Sequence, residues 1–245
     1  MVATIGAYRE AVRPSLTVEI WSDVICPWCY IGKRRWETAA ATLRDEVELN
    51  VVFRPYQLDP TATLGKSVPV VEAYAKKFGG EERAAKIIDH VTSIAAAEGL
   101  EFRMDRALRA NTLLAHRLLW LAEATGDQYA LKEQLMRAYF CEGLDVGDVE
   151  TLANCAAEIG MARDGVRDFL NSDDGSAEVQ GLLQVAAEAD ITAVPTFVFD
   201  GRWMVPGAQD PETFVNVIRR LLQKRADTPV VAADDAVCDD EVCDV

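Results

Sequence analysis

Two β-rich stretches stand at opposite ends of this chain with a long helical pattern between them, and that separation governs how it can fold. "LTVEIWSD" (16–23) alternates apolar and polar residues and is rich in β-branched and aromatic side chains, the pattern of a strand. "KRRWETAAATLRD" (33–45) has helical composition, and "VELNVVFRPYQLD" (47–59) returns to strand, with Pro55 near its end. A β-α-β unit therefore opens the chain. From about Val70 to Asp190, six segments carry apolar residues three and four apart, with Gly, Asn or Asp at the junctions. Strand chemistry resumes at "AVPTFVFDGRWMVPGAQ" (193–209), where Asp200-Gly201 marks a hairpin turn. "PETFVNVIRRLLQKR" (211–225) reads as a closing amphipathic helix. The expectation is an α/β unit interrupted by a helical one.

The turn from first strand to first helix contains "SDVICPWCYIG" (22–32), two cysteines separated by proline and tryptophan. C-x-x-C alone is weakly specific, but a strand before it and a helix after it favour redox chemistry. A helix N-terminus presents unsatisfied N–H groups and about half a positive charge, which stabilises a thiolate at Cys26. Pro27 suits the first helical turn, where its missing N–H has no cost. Cys29, one turn further, is expected to be more buried and protonated, placed to attack the Cys26 sulfur of a mixed disulfide. Two other readings stay open. A zinc site needs a second ligand pair and usually a glycine after the second cysteine, where this chain has Tyr30. An inert core pair seldom brings proline to a helix start.

Composition narrows the partners. With 40 acidic against 25 basic residues and a formal charge of −15, the chain repels phosphate backbones and anionic lipid heads. Nucleic acid and membrane surfaces are accordingly excluded as expected partners. Arg9, Glu10 and Arg13 interrupt what would be the apolar stretch of a signal peptide, and no later segment is apolar over 18 residues. The expectation is a cytoplasmic protein whose six cysteines are mostly reduced, so a paired motif is catalytic, metal-binding or incidental.

Together, "SDVICPWCYIG", "ANTLLAHRL" (110–118) and "ITAVPTFVFDGRWMVPGAQ" (191–209) make the chain resemble the DsbA family, in its FrnE-like branch. The resemblance implies a thioredoxin-like fold with an inserted all-helical domain, acting in thiol–disulfide exchange or isomerisation. It makes Cys26 the attacking thiol, Cys29 the resolving thiol and Pro195 the cis-proline beside them. Pro27, Trp28, Asp23, Val194 and Thr196 form the surroundings of the site. The implied division is 14–66 with CPWC, the helical insertion 67–190, and 191–225 with the cis-proline loop. Residues 226–245, acidic and poor in large apolar side chains, are expected to form a mobile tail. The resemblance requires no metal or organic cofactor. The expected partners are proteins with thiols or disulfides and a thioredoxin- or glutathione-type reductant, with glutathione as a redox partner; the oligomeric state is open. Glutathione-dependent isomerases and kappa-type transferases share the architecture but usually carry serine at the nucleophile, so two retained cysteines favour the disulfide chemistry.

The tail holds a second pair, Cys238 and Cys243. The stretch from Arg225 spans roughly 40 Å when extended, enough to reach Cys26. Tethering gives an effective concentration in about the millimolar range, so the pair reads either as a second, regulatory redox couple or as an inert or metal-binding tail. Cys141, Cys155, His90 and His116 read as structural, and Asn111 as the N-cap of the helix that follows it. Asp23 either accepts the Cys29 proton or faces solvent. Trp28 either tunes access or covers the second thiol.

Overall fold

Strand register explains how the two β-rich stretches meet. In the computed structural model, which describes residues 13–227, β1 (Ser15–Ser22) runs parallel to β2 (Glu48–Pro55) across α1 (Pro27–Leu43). β5 (Thr196–Phe199) lies antiparallel on the other side of β1, and β6 (Trp203–Pro206) closes the sheet in the order β2-β1-β5-β6. Asp200 and Gly201 have φ of 50° and 64°, a left-handed pair in the three-residue connection between Phe199 and Trp203. Cys238 and Cys243 lie outside the described residues.

One face of the sheet is buried under α1 and α9 (Pro211–Asp227). Leu16, Val18 and Ile20 alternate inward from β1, as the period of a strand dictates, and meet Phe197, Phe199, Phe214 and Ile218. Trp36 is the hub. Its ring lies 5.7 Å from Phe197 and 5.6 Å from Phe214, edge-on to the latter. The free edge of β2 is sealed by Gln128, whose side-chain amide bonds the Phe53 N–H at 2.8 Å and the Phe53 carbonyl at 3.0 Å.

The helical unit comprises α2 (Val70–Phe78), α3 (Glu81–Ala97), α4 (Leu113–Thr125), α5 (Gln128–Arg137), α6 (Val149–Glu158), α7 (Arg163–Asn171) and α8 (Ser176–Glu188). A π-helical turn, Ala138–Glu142, extends α5. Among the described residues, the helical unit therefore has one helix more than the six its periodicity announces. α7 escapes notice because Gly165 interrupts it and only Val166 and Leu170 are buried. A two-stranded ribbon, β3 (Val68–Pro69) with β4 (Leu108–Arg109), is equally too short for a pattern. The Arg117 guanidinium on α4 donates to the carbonyls of Phe169, Leu170, Ser172 and Asp174, tying down the link from α7 to α8.

The helical core is centred on Leu118, Leu131, Leu135, Phe140 and Leu152, and it also takes in Val24, Cys26, Cys29, Tyr30 and Ile31. α1 is thus shared: its first turns pack into the helical unit, while Trp36, Ala39 and Leu43 pack on the sheet. Among the described residues, no helix is long and apolar enough to cross a membrane.

Candidate active site

Both motif thiols lie at the start of α1. Cys26 immediately precedes the helix, extended at φ −87° and ψ 116°, and Pro27 occupies the first turn. First-turn amides have no partner within a helix, so proline sacrifices no hydrogen bond there. The Cys26 carbonyl accepts the N–H of Cys29 at 3.0 Å and that of Tyr30 at 3.4 Å, which stacks the second thiol one turn beyond the first. Both cysteines are free and buried, at 3% and 2% exposure, so they differ in their partners more than in their access to solvent. Burial pushes the Cys29 thiol well above its ordinary range. The hydrogen bond and charge of Cys26 act in the same direction, while Lys132 and a backbone hydrogen bond with Asp23 oppose them.

The pairing of Trp21 with Thr196 sets the entry of β5 beside the exit of β1. Val194–Pro195, the peptide just before β5, is cis, and the Cys26 thiol donates to the Val194 carbonyl at 3.7 Å. The loop is held from both sides: the Pro195 carbonyl accepts the Gly207 N–H at 2.7 Å, and the Thr196 hydroxyl donates to the Ala193 carbonyl at 2.8 Å. Glycine is needed opposite it. A Cβ on Gly32 would lie 2.9 Å from Pro195 Cγ and 3.3 Å from Ala208 Cβ, closer than such contacts tolerate.

Asp23 does not face solvent; it is completely buried. Its carboxylate accepts the Val24 N–H at 2.8 Å through Oδ1 and the Leu58 N–H at 2.8 Å through Oδ2. His116 Nε2 stands 3.2 Å from Asp23 Oδ1 and 3.0 Å from the Tyr56 carbonyl. A carbonyl can only accept, so this ring nitrogen carries hydrogen and donates to both. Asp23 and His116 thereby join the loop before α1, the segment after β2 and helix α4. The N-cap of α4 is Thr112, one residue beyond the expected Asn111. Asn111 still takes the Leu113 N–H at 2.9 Å through Oδ1, and its amide donates to the Ala62 carbonyl at 2.7 Å.

Trp28, 37% exposed, stands at the surface beside the buried thiols. Tyr139 is buried in the same core as the thiols and Tyr74 packs against it, and burial together with the charge of Cys26 pushes the Tyr74 hydroxyl up to about 12. Lys132 on α5 is fully buried, and its ammonium is drawn down to about 8 by burial. The sequence carries a signal for it: Gln128, Leu131, Lys132, Leu135 and Met136 share the buried stripe of α5. Cys155 is buried and Cys141 half-buried in the helical unit, and both are free. Among the described residues, no group of three or more His, Cys, Asp or Glu side chains is placed to hold a metal ion.

Known proteins share this fold. The chain is similar to a probable DsbA oxidoreductase of Streptomyces coelicolor, at 35% identity over 94% of this chain and 99% of that one, with a TM-score of 0.82. At 18% identity the likeness shows the fold alone. A cytosolic disulfide reductase, DsbM of Pseudomonas aeruginosa, matches over 85% of this chain and 99% of its own with a TM-score of 0.59. A 2-hydroxychromene-2-carboxylate isomerase matches over 86% and 98%, also with a TM-score of 0.59. The model of the DSBA-like thioredoxin domain matches residues 17–219. By that match and by its fold, the chain belongs to the family of DsbA-like thioredoxin domains.

Proposed function

We propose that the protein is a thiol–disulfide oxidoreductase, with isomerase capacity, acting on protein or small disulfides through Cys26 and Cys29. The observation that supports this most directly is one constellation. A thiol at a helix N-terminus, one turn before a second, enclosed thiol, is hydrogen bonded to the carbonyl before a cis-proline. In reduction, the Cys26 thiolate attacks one sulfur of the substrate disulfide, a mixed disulfide forms and the other substrate sulfur leaves as a thiolate. Cys29 then attacks Cys26, the internal disulfide forms and the second substrate thiolate departs. Two electrons pass from the dithiol to the substrate, and in the reverse direction the oxidised pair accepts them.

Pro195 and its neighbours Val194 and Thr196 would present backbone to the substrate, and Trp28 would line its approach. In this reading the enzyme works in the cytoplasm without a resident metal or organic cofactor. A thioredoxin- or glutathione-type system reduces it, and Cys238–Cys243 exchanges with the active pair. Cys26→Ser should abolish reduction of a model disulfide, and retained turnover would refute the assignment. Cys29→Ser should trap the mixed disulfide. The glutathione-dependent isomerase reading predicts instead an activity that survives Cys29→Ser and requires glutathione.

A further inference from the structure

The Cys26 thiol donates to the Val194 carbonyl at 3.7 Å, and this hydrogen bond joins the two halves of the site. It cannot survive the reaction. A thiolate, a mixed disulfide and an internal disulfide all lack the S–H, so in each of these forms the spacing from Cys26 to the loop before β5 has to be set by other contacts.

The segment 56–58, directly after β2, reaches both halves. The Leu58 N–H donates to Asp23 Oδ2 at 2.8 Å, and Asp23 stands three residues before Cys26. The Tyr56 hydroxyl donates to the Thr192 carbonyl at 3.3 Å, two residues before Val194. The Tyr56 ring, like Val194, packs against the cluster of Trp21, Ala186, Ile191 and Val198. The helical unit grips the segment as well: His116 Nε2 donates to the Tyr56 carbonyl at 3.0 Å, and Gln57 Nε2 donates to Asn111 Oδ1 at 3.2 Å. Thr196, at the far end of the loop, is fixed by its pairing with Trp21 in β1. Tyr56 supplies the anchor at the near end, so residues 193–195 span two fixed points. Asp23 suits its place because both carboxylate oxygens accept, and three donors meet them: the Val24 N–H and His116 at Oδ1, and the Leu58 N–H at Oδ2. An amide there would turn its NH2 toward at least one of these donors whichever way it is flipped.

We propose that Asp23 and Tyr56 are positioning residues that keep the cis-proline loop at working distance from Cys26 once the S–H is gone. Each acts through its partner, Leu58 or Thr192. The assignment rests on the thiol–disulfide reading above, with substrate backbone lying along the loop. Disulfides carried on a peptide chain then depend on the segment 56–58, and disulfides without a chain do not.

The test uses the reduced full-length chain with its other four cysteines replaced by alanine. Two disulfides share thionitrobenzoate as leaving group, one carried on the cysteine of an unstructured decapeptide and one on 2-mercaptoethanol. Released thionitrobenzoate reports attack by Cys26, and the quantity read is the ratio of the two second-order rate constants, peptide over mercaptoethanol. Tyr56→Phe keeps the ring and loses only the donor, so it should fold as the parent does and lower the ratio about fivefold. Asp23→Asn should lower it about tenfold. A ratio unchanged in Tyr56→Phe overturns the assignment, because the pairing of β1 with β5 then sets the spacing alone. Equal losses on both substrates in Asp23→Asn overturn it too, as the mark of a purely structural role. A parent chain without preference for the peptide removes the backbone contact on which the assignment rests. Release that persists in Cys26→Ser overturns the thiol–disulfide reading itself.

Discussion

The sheet core and the helical core are built from different materials. Around Trp36 the first is aromatic and aliphatic throughout, with Phe197, Phe199 and Phe214 on the hub. The second takes in both thiols, and Arg117 is buried on its helix α4, while the buried Lys132 lies above Phe53 of the sheet core and the buried Lys33 above Tyr129, which packs against that core. The aromatic cluster belongs to the sheet side, and both thiols belong to the helical side. Stabilising and reactive groups are thereby kept apart although one helix serves both.

Substitutions on each side should separate the two. Trp36→Ala opens the sheet core and should cost about 3–5 kcal/mol in denaturant unfolding. The fraction that remains folded should keep the exchange rate per molecule; a parallel loss of rate would show that the cores are not distinct.

Lys132→Met should have the opposite sign for stability. The folded chain releases this proton near pH 8 and the unfolded chain near 10.5, so folding is disfavoured by the full difference below pH 8 and stability rises with pH across that window. The substitution should stabilise the reduced protein by up to about 3 kcal/mol at pH 7, and the gain should shrink as pH approaches 10.5. A stability gain independent of pH would sink this account.

Gly32→Ala brings a methyl against Pro195 and should cost about 1–3 kcal/mol. It should also slow reduction of peptide disulfides, measured as kcat/KM, because the cis-proline loop must shift. An unaltered kcat/KM would show that the loop gives without consequence. Asp148→Ala, which removes the cap bonding the Thr151 N–H at 2.8 Å, should lower the melting temperature by the equivalent of about 1 kcal/mol and leave exchange untouched.

Local chemistry is legible in the sequence. Period-two alternation marks β1, the strand-like stretch 47–59 contains β2, Asp200-Gly201 marks the hairpin, and proline after Cys26 marks the helix start. The meeting of Cys26 with Val194 was also inferable, through the family pattern. What stayed hidden depends on faces meeting across long sequence distances. Asp23, Leu58 and His116 come from three segments, and nothing in their local spacing says that one carboxylate joins them. Lys132 was legible in kind, as a charge on an apolar stripe, but a stripe does not disclose that the Phe53 ring lies beneath it. α7 was hidden for the reverse reason, since its local pattern is weak and its place is fixed from outside by Arg117.

The sharing of α1 between two cores bears on modularity. A minimal enzyme assembled from the sheet unit alone would retain the strands, the Trp36 cluster and the whole C-x-x-C helix, and would look complete on a topology diagram. It would nonetheless strip Cys29 of the side chains that enclose it and remove Lys132 altogether. Its thiols would ionise as ordinary surface cysteines do. The insertion is half of the wall around the reacting sulfurs, so grafting or deleting it changes the reagent as well as the shape.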